Sequence, residues 1–447
     1  MGSVVSRLWS YILPLPVESV DQLKVLLSVF SSEISIEILR NIRLSGKTYQ
    51  KELLRLLPHS SRTVIGKLKQ LVSAGVLREG VERRKIGRKT VWVKWYTPTF
   101  IGRWIITLLT PPEEADPLRF AEISRELFKM YARSLAELCL NFGLSIEGYY
   151  DILDDEYLER VSQARWGDEG EYEVLVFDTL TSNLCVRFDD LLRMGRAEEC
   201  YVRHGGSAVN VPLMLKGLGV KTAVVCKCGR DSTARKALDA LLSGGVRPLH
   251  VITPEGARTP SVLVLTDVKG RARILPLGSE EPPILSSPSE VGWDLVDHCR
   301  LVYLGEVGSE VVRLVSSYSK GRGKLVVYRP LMLYVGYGPD ELRDALRHVD
   351  VFVVDSVSRA RMGEEYRALL GGSGVSIVEV TPGKGLRIYS EEGVVEMAME
   401  AEAEDPYTCS DAFLAGLIKG LLEGRDVVEA SGVGLETVRK VACAGLQ

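Results

Sequence analysis

Long apolar runs are missing from this 447-residue chain, and so are metal-binding cysteine patterns. No stretch reaches the roughly 18 uninterrupted apolar residues of a spanning helix, which argues against an integral membrane protein. The eight cysteines, Cys139, Cys185, Cys200, Cys226, Cys228, Cys299, Cys409 and Cys443, form no CxxC pair and no Cys/His ligand spacing. A structural zinc site is therefore not expected, and free thiols in a reducing cytoplasm are. The apolar start, Met1–Leu15, is broken by Arg7 and Pro14, with Pro16 following, and nothing downstream reads as secreted.

Charge is present but unevenly spread. Thirteen Lys/Arg stand against three Asp/Glu between Lys47 and Tyr96, an excess of +10; with a net charge of −3, the remainder carries −13. A basic segment on an acidic body points to a polyanionic partner for that segment. Within it, Ile34, Ile38, Leu39 and Ile42 recur at helical spacing up to the Ser45-Gly46 turn. Thr48 caps a second helix that ends at Pro58. Ser60 or Ser61 caps a third, with Val64, Leu68, Leu71 and Val72 on one face. Val76–Arg78 opens a strand, Glu82–Thr90 is a charged turn, and Val91–Tyr96 returns. This order over residues 31–110 resembles a winged helix-turn-helix domain. Arg62, Lys67 and Lys69 fall on the presumed recognition helix, and Arg83, Arg84, Lys85, Arg88 and Lys89 crowd the ribbon. Double-stranded DNA is the expected partner, with the helix in the major groove and the ribbon along phosphates. A solvated basic hairpin or a protein-contact module is the alternative.

Residues 1–30 form a separate N-terminal segment, and 111–171 read as linker and helical connector, beginning with Pro111-Pro112-Glu113-Glu114. In the connector Phe120, Ile123, Leu127, Met130 or Tyr131, Leu135 and Leu138 make an apolar stripe. It serves either a homodimer or packing onto the same chain. From 172 to 447 short apolar strands alternate with helices, the pattern of a layered α/β sheet: Val174–Phe177, Ala223–Cys226, Ser261–Leu265, Leu301–Leu304, Leu325–Tyr328, Val351–Val354 and Ser376–Val380.

Four landmarks occur in order in this region. They are Gly205-Gly206-Ser207-Ala208-Val209-Asn210, Cys228-Gly229-Arg230-Asp231, Thr259–Arg271, and Asp405-Pro406-Tyr407-Thr408-Cys409-Ser410-Asp411-Ala412-Phe413-Leu414-Ala415-Gly416. Together they resemble the ribokinase (PfkB) family of sugar kinases. The expected fold is thus a ribokinase-like α/β sheet with flanking helices, preceded by a small winged-helix α+β domain. The resemblance implies Asp411 as the catalytic base and substrate contacts from Gly205, Gly206, Asn210 and the Ser182-Asn183 pair. It also implies an anion hole at Thr408, Cys409 and Ser410, nucleotide contacts from Thr381, Gly383 and Gly385, and a metal-holding Asp355, with ATP and Mg²⁺ as cofactors.

The same motifs depart from the family pattern. Thr408 and Ser410 replace signature glycines, Ser358 replaces the glutamate of a metal-organising motif, Ser182-Asn183 supplies no carboxylate, and Thr381-Pro382-Gly383-Lys384-Gly385 is one residue short. Losing one oxyanion-type donor typically costs about 10²–10³ in rate, so several losses together point to weak or absent catalysis. The leading expectation is a cytoplasmic DNA-binding regulator whose kinase-like domain senses a sugar, nucleoside or nucleotide. An active ATP-dependent sugar or nucleoside kinase, and a ligand-free dimerisation or partner platform, are the alternatives.

Overall fold

The computed structural model describes residues 27, 31–86, 89–110, 116–164, 172–193, 195–267, 272–278, 282–331, 333, 339–363, 366–367, 374–381, 385–390, 393–399 and 406–444. The chain divides into two compact units, Met1–Ile146 and Glu147–Gln447. The segment 111–171, read above as a connector, is split between them.

In the first unit α1 (Glu33–Arg40), β1 (Thr48–Tyr49), α2 (Gln50–Leu56) and α3 (Ser61–Ser73) precede a hairpin of β2 (Leu77–Ile86) and β3 (Lys89–Pro98). The helices α4 (Phe100–Leu109) and α5 (Pro117–Phe142) follow. Ser60 caps α3 by accepting from the Thr63 amide, 3.2 Å away, which starts the helix immediately after Pro58. Val64, Leu68 and Leu71 then recur on its inner face and join Ile38, Leu39, Leu53, Val76 and Tyr96 in one core. Leu127 of α5 is buried in the same core and Ile123 packs against it. The strands pair in the order β1-β3-β2. Close packing at α4 depends on Gly102, where a Cβ would stand 2.1 Å from the Val76 carbonyl oxygen.

The second unit opens with α6 (Glu147–Gln163), tied to it by an Asp154–Arg235 ion pair and by Leu158 and Val161 in its core. Among the described residues its main sheet has nine strands, in the order β16-β15-β14-β13-β12-β11-β4-β7-β8. These are β4 (Val174–Thr179), β7 (Thr222–Lys227), β8 (Arg247–Ile252), β11 (Leu301–Leu304), β12 (Leu325–Tyr328), β13 (Val351–Asp355), β14 (Ser376–Thr381), β15 (Gly385–Ser390) and β16 (Gly393–Ala398). All neighbouring strands pair in parallel except β14 with β15 and β15 with β16, which pair antiparallel. β4 is buried along its whole length, as a parallel strand covered on both faces must be. One face carries α7 (Ser207–Gly217), α8 (Ser232–Ser243), α13 (Pro406–Leu422) and α14 (Val427–Ala444). The other carries α9 (Trp293–Asp297), α10 (Ser309–Lys320) and α11 (Pro339–Leu346), while α12 (Ser356–Met362) follows β13 directly.

A second sheet, in the order β10-β9-β5-β6, is built from β5 (Ser182–Phe188), β6 (Ala197–His204), β9 (Ser261–Asp267) and β10 (Ala272–Leu277). It forms a lid at the carboxyl ends of the main strands. The chain leaves β4 toward β7 on one side and places β11 on the other. That switch in strand order opens a crevice beyond the carboxyl end of β4, where open α/β sheets bind ligands. This is a ribokinase-like α/β fold. No described helix is long and apolar enough to cross a membrane.

Gly102→Ala is expected to destabilise the first unit by about 2 kcal/mol or more, because the obstructing atom is backbone and cannot rotate away. Denaturant unfolding of the variant against the parent measures it.

Candidate functional site

The crevice is organised around a buried ion network. Asp411, on α13, is almost fully buried, yet three donors reach its carboxylate. Oδ1 accepts from Ser207 Oγ and from Arg329 Nη1, each at 2.7 Å, and Oδ2 accepts from Asn210 Nδ2 at 2.8 Å. Ser207 and Asn210 stand one turn apart at the start of α7, so both face Asp411. Arg329 follows the last residue of β12 and is only 1% exposed. Its Nη2 lies 3.4 Å from Asp355 Oδ2, while Asp355 Oδ1 accepts from the Ser358 amide and hydroxyl at 2.9 and 2.8 Å. Burial disfavours the guanidinium charge, but the carboxylates of Asp411 and Asp355 and the Tyr303 phenol outweigh it, so the cation is held above its ordinary value.

A third carboxyl sits beside this network. Asp178 is the penultimate residue of β4, and the sheet register places it level with Gly305 on β11's extension, which in turn is level with Arg329 beyond β12. The absent side chain at Gly305 makes room for it, since a Cβ there would meet the Asp178 carboxyl at 2.3 Å. Asp178 Oδ1 accepts the Thr179 and Glu306 amides, each at 2.8 Å. Asp178 Oδ2 and Arg329 Nε are buried without a hydrogen-bond partner. Burial pushes the Asp178 carboxyl up to about 7, against the lowering effect of the two amides.

The residues expected from the sequence to touch substrate largely converge here. Gly205 and Gly206 have φ of +104° and +59°, and Cβ atoms there would strike Val209 at 2.0 Å and the Thr181 hydroxyl at 2.3 Å. Of the Ser182-Asn183 pair only Asn183 lines the pocket with Asp411, because alternate residues of β5 point to opposite faces. Arg203 of β6 reaches across from the lid to Thr408 Oγ1 at 2.7 Å. The space enclosed between lid and sheet is about 30 Å³.

The anion hole differs from expectation. α13 begins at Pro406, five residues before Asp411, so Thr408, Cys409 and Ser410 are helical. Helix geometry turns the Ser410 and Asp411 amides inward onto the carbonyls four residues earlier, and they are not presented to an anion. Thr408 and Ser410, in place of glycines, are compatible with helix and remove the pull toward an open loop. Ser410 Oγ is buried without a partner. Asp355, expected to hold a metal, is occupied instead by Ser358 and Arg329, and no group of three or more His/Cys/Asp/Glu placed to hold a metal occurs among the described residues. In this arrangement the Asp355 carboxylate is paired inside the protein, with Arg329 and Ser358. On the nucleotide side, Thr381 and Gly385 pair across β14 and β15 and line a groove of about 440 Å³ with Arg359, Glu379 and Arg387. Gly383 lies outside the described residues.

Arg329, Ser207 and Asp178 were not singled out from sequence. The one visible signal was a charged residue directly following an apolar run, as in Leu325-Val326-Val327-Tyr328-Arg329 and Val174-Leu175-Val176-Phe177-Asp178.

Residues 173–438, more than half of the chain, match the pfkB family carbohydrate kinase profile. The chain belongs to the pfkB family. The pfkB domain is 25% identical over 237 residues to a nucleoside kinase of Methanothermobacter thermautotrophicus, covering 50% of this chain and 73% of that protein. It is 24% identical over 285 residues to a fructokinase of Solanum tuberosum, covering 59% and 89%. Among solved structures, adenosine kinase from Sinorhizobium meliloti superposes with a TM-score of 0.50 at 16% identity, over 61% of this chain and 94% of that one.

In the first unit the sequence-predicted cations sit on two elements. Arg62 and Lys69 are exposed on α3, with Lys67 half-buried. Arg83, Arg84 and Lys85 are exposed on β2, and Arg83 lies 4.9 Å over the ring of Trp92, which is 66% exposed. Arg88 and the Lys89 side chain fall outside the described residues.

Arg329→Met should cost about 3–5 kcal/mol, since it leaves buried carboxylates uncompensated, and adding Asp411→Asn should recover part of that loss. A double-mutant cycle by urea unfolding measures the coupling. Asp178 is protonated more readily folded than unfolded, so its proton-linked stabilisation is full below about pH 4 and lost as pH rises toward 7. Relative to Asp178→Asn, the parent should lose at most roughly 4 kcal/mol across that window, read from unfolding at a series of pH values.

Proposed function

We propose that this protein is a DNA-binding regulator whose pfkB domain binds a small ligand and transfers little or no phosphate. The observation that carries this reading is the Arg329–Asp411 pair. A general base must have an oxygen free to meet the substrate hydroxyl. Here Asp411 accepts from an internal guanidinium, a serine and an asparagine, at 2.7–2.8 Å. The positive charge that a phosphotransferase draws from its metal is supplied from inside the protein, and helix formation from Pro406 turns the Ser410 and Asp411 amides into the helix. Such a domain keeps a substrate-type pocket while losing its chemistry.

DNA recognition is supported by the concentration of exposed cations on α3 and β2, opposite the core-forming face of α3. An arginine-covered indole on the hairpin adds an amphipathic contact suited to a sugar–phosphate edge. The second reading, an active sugar or nucleoside kinase, is favoured by the persistence of Gly205, Gly206, Asn210 and Asp411 in one crevice and by relatives described as kinases.

The full chain should shift a duplex in a mobility assay. With about six phosphate contacts, its affinity should fall about 10³-fold between 50 and 200 mM salt, and an Arg83→Gln/Arg84→Gln variant should lower the log–log salt slope by about 2. No shift with any duplex at low salt overturns the DNA reading. Labelled ATP with a panel of sugars and nucleosides should give no phosphorylated product. Product that appears with the parent and disappears in Asp411→Asn establishes the kinase instead.

A further inference from the structure

The ribbon of the first unit carries two tryptophans in unlike surroundings. Trp92 and Trp95 stand on opposite faces of β3, because side chains alternate along a strand. Trp95 is half-buried: a Cβ at Gly80 would stand 2.3 Å from its ring, and Lys47 Nζ lies 4.8 Å over it. Its face is also tied to β1, where the Tyr49 hydroxyl donates to Glu82 at 2.7 Å and Arg84 lies 4.6 Å over the Tyr49 ring. The face of Trp92 begins in the core, with Leu77 and Tyr96 buried at its root. Past that root it runs out into solvent. Val81 is 60% exposed and Trp92 66%, and Arg83, Lys85 and Thr90 are exposed beside them. Arg83 faces Trp92 directly across the ribbon, and its guanidinium covers one side of the indole at 4.9 Å. Glu79, the one carboxylate among the described residues of this face, is paired with Lys94 at 2.7 Å.

An indole left open on one side, with an aliphatic neighbour and two cations, fits a partner that is flat, apolar on its face and anionic along its edge. A nucleotide has that shape. In an intact duplex every base face is covered by the next base pair, so the indole meets only groove edges and backbone. An unpaired base offers its π-face, and aromatic side chains hold such bases by stacking. We infer that the β2–β3 ribbon holds an unpaired base of its DNA target, stacked on the open side of Trp92, with Arg83 behind the ring and Lys85 toward a flanking phosphate. Because Arg83 already holds the ring against the ribbon, little side-chain freedom is lost on stacking. This inference rests on the DNA-binding reading above and names the feature of the DNA that the ribbon recognises, a bulged or single-stranded nucleotide beside the duplex.

Competition binding of the full chain to three DNAs of one sequence tests this: a blunt duplex, the same duplex with a bulged 2-aminopurine, and the same duplex with a bulged abasic nucleotide. The abasic probe shares the flexibility and the phosphates of the bulge and lacks the base. The 2-aminopurine bulge is expected to bind about ten-fold tighter than the abasic one, within the range of a single base–aromatic stack, and its fluorescence to be quenched on binding. Trp92→Ala should bring the two bulges level, while Trp92→Phe, which keeps a smaller ring, should retain part of the difference. The preference should persist at raised salt, where affinity for all three DNAs falls, since stacking releases no counterions. Equal affinity for the two bulges, or a preference unchanged in Trp92→Ala, overturns the proposal. The quench is read on the parent protein, so it does not depend on how the variants fold, and its absence also overturns the proposal. The stacked base and the regulator reading fail separately. Protein that binds the blunt duplex and both bulges alike keeps the regulator and loses the stacked base. Protein that binds the 2-aminopurine bulge alone keeps the stacked base and loses duplex recognition. Protein that binds none of the three loses both.

Discussion

A single guanidinium, buried among carboxylates at the carboxyl ends of the central strands, governs the second unit of this protein. Arg329 is 1% exposed and touches both Asp411 and Asp355. Removing such a group from water costs several kcal/mol, and only close carboxylates with their own hydrogen bonds offset it. The surrounding architecture supplies that compensation. α7 brings Ser207 and Asn210, α12 brings Ser358, and α13 brings Asp411, so three helices and two strand ends are gathered around one cation. In a site assembled this way the buried cation is balanced by the carboxylates around it.

The same arrangement explains why several altered motif positions belong together. Arg329 reaches both Asp411 and Asp355, and Ser358, where the family motif has a glutamate, donates to Asp355. Thr408 and Ser410, where the family signature has glycines, are helix-compatible, and α13 extends back to Pro406. The carboxyl at Asp178 stays with one unpaired oxygen near the cation because Gly305 leaves it room. Its raised pKa is the mark of a group held by burial and shape, with too few partners to ionise readily.

The crevice beneath the lid keeps the backbone of a ligand site and changes its lining. Gly205 and Gly206 still take conformations closed to other residues, so the turn into α7 is intact. Around it, an asparagine, an arginine and a wall of aliphatic side chains replace the expected carboxylate surroundings. In the first unit the division is simpler. Apolar faces of α1, α3 and α4 close the core, and the cations remain outside on α3 and β2.

Fold class was legible in the chain because it depends on local patterns. Buried parallel strands read as short β-branched runs, α3 reads from Ser60 and the Val64–Leu68–Leu71 spacing, and the glycine pair and Asp411 mark the crevice by order alone. The candidate site was legible in part: Asn183, Gly206, Asn210 and Asp411 meet in it. What the sequence could not disclose was the partner of each charge. Arg329 and Asp411 are 82 positions apart, and Ser207 and Asp411 are 204 apart. Only the stacking of β12 under α13, and of α7 beside it, decides that the presumed base faces a buried cation. Periodicity records which residues are inside; which inside residues touch is set by the sheet order, and that exists only in the folded chain.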